Sequence, residues 1–429
     1  MICDGPLSRA QQLKGQLMMH KFNLLNGFSY MCLGETVIIL FAVKLACPNS
    51  MIAILGAMAQ FAFLMMPLGK MITARIGAAR SQGTFWVCRN IAALIVASAA
   101  LWEYFNLHQT AQWAILLGAF FFYGFRAAGA IMAKPLAGCL TEEWERASYF
   151  AKNTAAFHIT NLTALILVSI ILRYTDSIWT LTCIIITGSM VGITSSRYLR
   201  QVDETRAIRD AARRPIWQNL GHAWRNSHFR SLQYAQVGFA ATAIMLIPMS
   251  LLTLKRGCHV SDTGALLYTL VLFAAATVMS YFTGKVINRF GVRKVIILCQ
   301  ACRLLIPWFW ILMPEPFLPG LAAIPFLLSG MSGVGSNATA QYFLRALPVQ
   351  SQVIGSILSA LIGEALAGFV GMLCASGLMK LAEHLAQGST SGFMLYRIYF
   401  MLAFMICATL CFYPVLKLKR FAEKKACPA

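Results

Sequence analysis

The chain has 429 residues, of which 59% are hydrophobic and only 12% are Asp, Glu, Lys or Arg. An ordinary soluble domain carries about 25% charged residues, so this composition excludes a soluble fold and indicates an integral membrane protein. The net charge of +21 does not indicate a nucleic-acid partner, because the basic residues stand between long apolar runs, as in the cytoplasmic loops of membrane proteins.

Twelve stretches are apolar over roughly 20 residues, the length that an α-helix needs to cross a bilayer. Numbered first to twelfth, these predicted spans are 22–46, 51–69, 83–102, 111–137, 149–172, 177–195, 231–254, 263–284, 294–313, 320–343, 352–379 and 395–416. A polar segment with eight arginines separates the sixth span from the seventh. The sequence therefore predicts an all-α integral membrane protein of about twelve transmembrane helices. Its two six-helix halves are 1–196 and 231–429, joined by a basic linker at 197–230.

Basic residues are distributed unequally between the two faces of the predicted membrane. Most of the 36 Lys and Arg residues fall in loops on the side that carries both termini, including the short basic tail, and few fall on the opposite side. Lys134 is assigned here to the loop after the fourth span. Because cytoplasmic loops are enriched in Lys and Arg, we expect a multi-pass protein of the cell membrane with both termini in the cytoplasm.

A short pattern of glycines and basic residues recurs after the second span of each half. It reads Gly69-Lys70, Arg75-Ile76-Gly77 and Arg80 in the first half, and Gly284-Lys285, Arg289-Phe290-Gly291 and Arg293-Lys294 in the second. Arg89 follows Gly77 at the same distance as Arg303 follows Gly291. Such self-similarity between two halves is typical of transporters that are built from repeats.

The second-half pattern resembles the signature of the major facilitator superfamily, and the acidic loop 141–146 resembles that family's loop after the fourth span. The chain departs from the family pattern at Asn288, and at Thr73-Ala74 in the first half, where the family carries an acidic residue. The resemblance implies two pseudo-symmetric halves around a central cavity. The first, fourth, seventh and tenth spans would line that cavity, with the second, fifth, eighth and eleventh beside them, and transport would proceed by alternating access.

The same resemblance implies a gate at the cytoplasmic face. Glycines permit the tight turns, and the arginines can pair with helix ends or acidic residues. The predicted gating residues are Arg75, Gly77, Arg80, Gly284, Arg289, Gly291 and Arg293. Glu142, Glu143 or Glu145 can supply the acidic partner that the motif lacks. The alternative interpretation is a set of positively charged turns without a gating role.

Ionisable and amide side chains inside the spans are costly to bury and usually face a cavity or one another. The predicted solute-binding residues are Glu35, Arg126, His158, Asn161, Gln233, Gln236, Asn337 and Gln341. Glu35 and Glu364 are the predicted proton-coupling residues, and Glu35 is expected to pair with Arg126. The alternative is a structural ion pair that only orders the helices. Arg89 and Arg303 are expected at the periphery, with long side chains that reach toward the membrane surface.

These features predict a secondary active transporter for a small polar solute, anionic or zwitterionic, with protons as the candidate coupling ion. Proton-driven efflux of lipophilic compounds and carriage of a lipid are alternatives, although the fifth span lacks the Gly-Pro-Gly signature of the family's drug-efflux branch. A membrane scaffold or receptor that transports nothing is the alternative from another class. The sequence carries no enzyme motif, so we expect no catalysis, no metal, no cofactor and no nucleic-acid partner, and a monomer surrounded by membrane lipids.

Overall fold

The computed structural model describes residues 2–48, 51, 55, 58, 62–175, 177–213, 221, 223–260, 262–315, 317–386 and 393–421. Within these ranges, 10 helices are long and apolar enough to cross a membrane. Most of the predicted second span precedes residue 62, and the predicted tenth span is divided at Gly330. The backbone of Glu35 is described, but its side chain lies outside the described residues.

Helices of the first half follow the predicted order along the chain. They are α1 (Arg9–Cys32) and α2 (Glu35–Lys44) in the first span, a 3-10 turn (Ala62–Met65) and α3 (Met66–Ile76) in the second, α4 (Ala78–Tyr104) in the third, α5 (His108–Ala130) and α6 (Ala133–Leu140) in the fourth, α7 (Arg146–Tyr174) in the fifth and α8 (Ile178–Arg200) in the sixth. Strand β1 (Ile2–Cys3) precedes the first span. Strand β2 (Glu204–Thr205) lies in the linker and is followed by α9 (Arg206–Arg213).

The second half repeats this order with more interruptions. Its helices are α10 (Ser227–Leu252), α11 (Asp262–Phe290), α12 (Val292–Leu304) and α13 (Ile306–Ile311), α14 (Pro319–Ser329) and α15 (Met331–Ala346), α16 (Val349–Ala360) and α17 (Ala367–Leu385), and α18 (Met394–Ile406) and α19 (Phe412–Leu416). Three π-helical segments lie at Thr253–Gly257, Leu361–Leu366 and Cys407–Cys411.

The repeated glycine turns have the same backbone conformation in both halves. Gly77 lies between α3 and α4 with φ of 92°, and Gly291 lies between α11 and α12 with φ of 81°. Positive φ is accessible to glycine without a steric penalty, whereas a side chain would be strained there. The sequence repeat is therefore also a repeat of structure.

The buried arginines that follow these turns hold the helices of each half together. Arg89 is 1% exposed, and its guanidinium donates to Asn26 Oδ1 at 3.3 Å and to Ser29 Oγ at 3.4 Å in the first span. Arg303 is 2% exposed and donates to the carbonyl oxygen of Phe239 at 2.9 Å in the seventh span. The expectation that both side chains reach toward the membrane surface is therefore wrong. Each guanidinium contacts a hydrogen-bond acceptor and an aromatic ring inside its own half, which offsets part of the cost of burying the charge.

The first helix begins at Arg9, well before the predicted start at residue 22. Its polar first turns are satisfied by the loop after the fourth span: Arg9 forms a bidentate ion pair with Glu145, at 2.6 and 2.7 Å. Gln16 also donates to the carbonyl oxygen of Leu140 at 2.8 Å. The Arg9 guanidinium holds the pKa of Glu145 below its usual value. Tertiary contacts thus extend the helix beyond its apolar part.

The two halves are joined at the end of the bundle that carries the start of α1, the linker and the end of α19, here called the terminus side. Arg345 after the tenth span forms an ion pair of 3.1 Å with Glu143 after the fourth span. A Cβ at Gly284 would lie 3.1 Å from the Cα of Ser148, so the eighth and fifth spans approach closely here. The linker helix α9 packs against both α3 and α16, one helix from each half. These contacts close the terminus side.

An acidic residue of the linker completes this closure. Strand β2 pairs in parallel with β1, and Arg206 forms an ion pair of 2.8 Å with Asp4. Glu204 is 2% exposed, and its carboxylate accepts a hydrogen bond of 2.7 Å from the backbone N–H of Ala78, the first residue of α4. Burial raises the pKa of Glu204, and the backbone N–H groups of Ala78 and Ala79 act in the opposite direction. A carboxylate at a helix N-terminus is also favoured by the helix dipole.

The unequal distribution of basic residues generates a prediction about topology. Reporter domains fused after Gln201 and at the C-terminal end should both report the cytoplasm, whereas a reporter inserted near Asn106, between α4 and α5, should report the opposite side. Opposite signals from the first two fusions would contradict an even number of spans.

The Glu204 contact generates a second prediction. Replacement of Glu204 by Ala leaves the first N–H of α4 without its acceptor, so the purified protein should lose roughly 1 kcal/mol of stability, the usual effect of removing a helix cap. The measurement is the apparent melting temperature in detergent. Asp210→Ala is the control, because Asp210 is exposed and its contacts with Arg206 and Arg213 are 3.9 and 3.8 Å long. Equal melting temperatures for the two variants would contradict a capping role for Glu204.

Candidate solute-binding site

A cavity of about 330 Å³ lies between the two halves. Its described wall comes from the second, fourth, seventh and eleventh spans. The fourth and seventh spans were expected to line a central cavity, and the second and eleventh were expected beside them. The cavity is large enough for a small solute, since ligand pockets begin at volumes of about 300 Å³.

The fourth span contributes one continuous face to this cavity. The lining residues are Tyr123, Arg126, Ala127, Ala130, Ile131 and Lys134. Their spacing of three and four residues places them on one side of a helix. Two cations, the Arg126 guanidinium and the Lys134 ammonium, therefore face the same volume from the first half.

Arg126 is oriented by the first span. Its guanidinium carbon lies 4.8 Å from the ring centroid of Tyr30. A cation over an aromatic face is attracted by the ring's negative face, and this attraction is stronger away from water. Arg126 is therefore held in place at the cavity wall. The expected pair between Arg126 and Glu35 stays a prediction, because the Glu35 side chain lies outside the described residues.

Lys134 was missed as a site residue, because the sequence interpretation assigned it to the loop after the fourth span. That assignment is wrong: Lys134 lies within the helical part of the span and lines the cavity. Its ammonium nitrogen lies 5.1 Å from the ring centroid of Phe343 in α15 of the second half. The signal that could have found it is its spacing of eight residues from Arg126, which places both on one helical face.

The eleventh span faces these cations with a single carboxylate among its lining residues. Ser356, Ala360, Glu364 and Gly368 line the cavity at intervals of four residues. Glu364 attracts both Arg126 and Lys134 electrostatically, although the ion pairs between described side chains include none that joins it to either cation. It lies in the π-helical segment Leu361–Leu366, a rare conformation that is frequent at functional sites.

The other predicted solute-binding residues with described side chains are not among the lining residues of this cavity. Gln233 is fully buried and donates to Ser359 Oγ at 2.8 Å and to Gln236 Oε1 at 3.2 Å. Asn337 accepts a hydrogen bond of 2.7 Å from Thr154, which joins the tenth span to the fifth. Three further members of the set are His158, beside Phe273, and the buried Asn161 and Gln341. Their solute-binding role stays a prediction.

The predicted gating residues are divided between turns, exposed positions and helix ends. Arg75, Arg80 and Arg289 are exposed. Arg293 donates to the carbonyl oxygens of Leu418 and Leu416 at 2.6 and 2.9 Å, at the end of the twelfth span. The two glycine turns have the expected conformation, and a gating role for the whole set stays a prediction.

Comparison with known proteins addresses the fold. A family model described as Major Facilitator Superfamily matches residues 22–372. Among curated proteins, no relative was found by sequence comparison. The solved structures described below have 12–15% identity to the chain, so they bear on the fold alone.

Three of those structures illustrate the range of TM-scores and coverage. FucP in the outward conformation has 12% identity and a TM-score of 0.71, with coverage of 96% of this chain and 100% of that chain. A bacterial homologue of the iron transporter ferroportin, in an outward-facing state, has 13% identity and a TM-score of 0.68, with coverage of 94% and 98%. The human organic anion transporter TETRAN has 15% identity and a TM-score of 0.60, with coverage of 92% and 99%.

These matches confirm the predicted all-α membrane fold of twelve helices in two halves, and they place the chain among multi-pass secondary transporters. The family model covers far more than half of the sequence, from the first span into the eleventh. The chain therefore belongs to the Major Facilitator Superfamily.

Proposed function

We propose that the protein moves a small anionic or zwitterionic solute across the cell membrane through the cavity between its halves, by alternating access. The observation that carries this proposal is the placement of Arg126 and Lys134 from one half, and Glu364 from the other, around one volume of about 330 Å³. The cations outnumber the carboxylate in the described wall, so an anionic group gains a counter-charge on entering.

The chemistry of these side chains favours an anion over a neutral or lipophilic solute. The planar guanidinium of Arg126 suits a carboxylate or phosphate group, with which it can form two parallel hydrogen bonds. Solved structures of similar fold carry iron, xylose, fucose or organic anions according to their descriptions, so the fold does not choose among them. The charges of this chain's own cavity favour an anion.

The closed terminus side supports a proposal about the conformation. Both termini are proposed to lie in the cytoplasm, since the basic loops lie on their side. The ion pair between Glu143 and Arg345 and the packing of α9 on both halves then close the cytoplasmic face. We therefore propose an outward-open state of a transporter that works as a monomer.

The solute class is tested with purified protein in liposomes. Labelled carboxylates, phosphate esters, amino acids, neutral sugars and lipophilic cations are offered in turn. We expect accumulation of an anionic or zwitterionic class, and we expect Arg126→Ala and Lys134→Met to weaken its binding by roughly tenfold or more, because a hydrogen bond to a charged group contributes about 1.5–3 kcal/mol.

Lys14→Met is the matched control, because Lys14 is exposed on α1 and does not line the cavity. It should behave as the wild type. Transport of lipophilic cations with no effect of the two cavity variants would support the efflux alternative. Absence of transport for every class would support a scaffold or receptor.

Proton coupling is the second part of the proposal. Glu364, and Glu35 as the further candidate, would take up a proton as the solute binds, because an anion on Arg126 removes the positive charge that favours their ionised form. Glu364→Gln should abolish accumulation driven by a pH gradient while it keeps exchange of solute across the membrane without a gradient. Full gradient-driven accumulation by both Glu364→Gln and Glu35→Gln would exclude this coupling.

A further inference from the structure

The two cations of the cavity lie at different depths. Arg126 lies in α5 and Lys134 in α6, eight residues apart on the fourth span, a spacing that would correspond to about 12 Å along a continuous helix axis. On the fourth span the lining residues between them are Ala127, Ala130 and Ile131, and the eleventh span adds Ala360 and Ser356 to the same cavity. The cavity thus has two cationic levels that are separated by an apolar band.

Aromatic contacts hold the two cations apart. The Arg126 guanidinium lies over Tyr30, in the inner part of the first span, whereas the Lys134 ammonium lies over Phe343, near the terminus-side end of α15. Phe343 lies three residues before the end of α15, on the terminus side, so the Lys134 contact lies toward the closed end of the cavity. The two cations are thus held against different rings, and a solute with one anionic group at each cation would leave both ring contacts in place.

We propose that the solute carries two anionic groups joined by a short apolar spacer, with one group bound at Arg126 and the other at Lys134. This inference rests on the proposed function and specifies its solute class. The spacer would lie against the alanine and isoleucine side chains of the apolar band, which offer no hydrogen bond to a polar chain. The second anionic group would bring the solute to the closed end, where Lys134 and Phe343 connect the two halves.

Charge balance then predicts that the complex of protein and solute holds one additional proton. Among the described lining residues, Arg126, Lys134 and an ionised Glu364 sum to one positive charge, which the two negative charges of the solute would exceed. One proton on Glu364 restores the balance. The other titratable group in the described wall is Tyr123, beside Arg126. Binding of the dianion should therefore be tighter at about pH 6 than at about pH 8. The carboxylates of the solute stay ionised over this pH range.

The test uses the full-length protein in nanodiscs and measures binding by calorimetry. The probes are glutarate, adipate and suberate, each compared with the monocarboxylate of the same chain length. We expect a dicarboxylate of optimal length to bind roughly tenfold or more tighter than its monocarboxylate partner. Lys134→Met should remove that preference, because it weakens dicarboxylate binding far more than monocarboxylate binding, whereas Lys134→Arg should keep it. Glu364→Gln should bind the dicarboxylate without the pH dependence.

The variants also separate this inference from the proposed function. Lys14→Met should leave both the preference and the affinities unchanged, and the melting temperature of each variant controls for folding. Equal affinity for mono- and dicarboxylates in the wild type, or an equal loss of both in Lys134→Met, would overturn the dianion while transport of an anion stands. If no carboxylate, phosphate ester or amino acid binds the wild type, the proposed function itself fails.

Discussion

A charge inside a bilayer needs partners within the protein. The intramembrane charges of this chain fall into two groups, one buried within a half and one facing the cavity between the halves. Arg89 and Arg303 are almost inaccessible, and each donates hydrogen bonds to the first span of its own half. Arg126, Lys134 and Glu364 face a shared cavity instead. The first group holds helices together within a half. The second group leaves charged side chains available to a molecule that enters the cavity between the halves.

The closed terminus side depends on acidic residues that lie outside the repeated glycine–arginine motif. The motif itself carries Asn288 in one half and no acidic residue in the other. Glu204 of the linker bonds the first N–H of α4 beside the Gly77 turn, and Glu143 pairs with Arg345 between the halves. Because Glu204 belongs to the segment that also packs on both halves, the linker is a structural part of the closure as well as a connection.

The candidate site was only partly accessible from sequence. Arg126 and Glu364 were identified because a charge within a long apolar run is costly and therefore conspicuous. Lys134 was missed because it stands near the end of such a run, where a basic residue is ordinary. Amides such as Gln233 and Asn337 are equally conspicuous, but they bond to neighbouring helices. A helical period shows which residues share a face, but only packing determines what that face meets.

The sequence by itself determined the class of fold, the order of the helices, the division into two halves and the glycine turns at Gly77 and Gly291. These follow from local quantities: the length of apolar runs, the distribution of basic residues and the backbone freedom of glycine. Only the tertiary structure decided that Lys134 and Glu364 face one cavity and that Glu204 bonds α4. Those contacts join residues far apart in the chain, and their geometry depends on how whole helices pack, which no local pattern encodes.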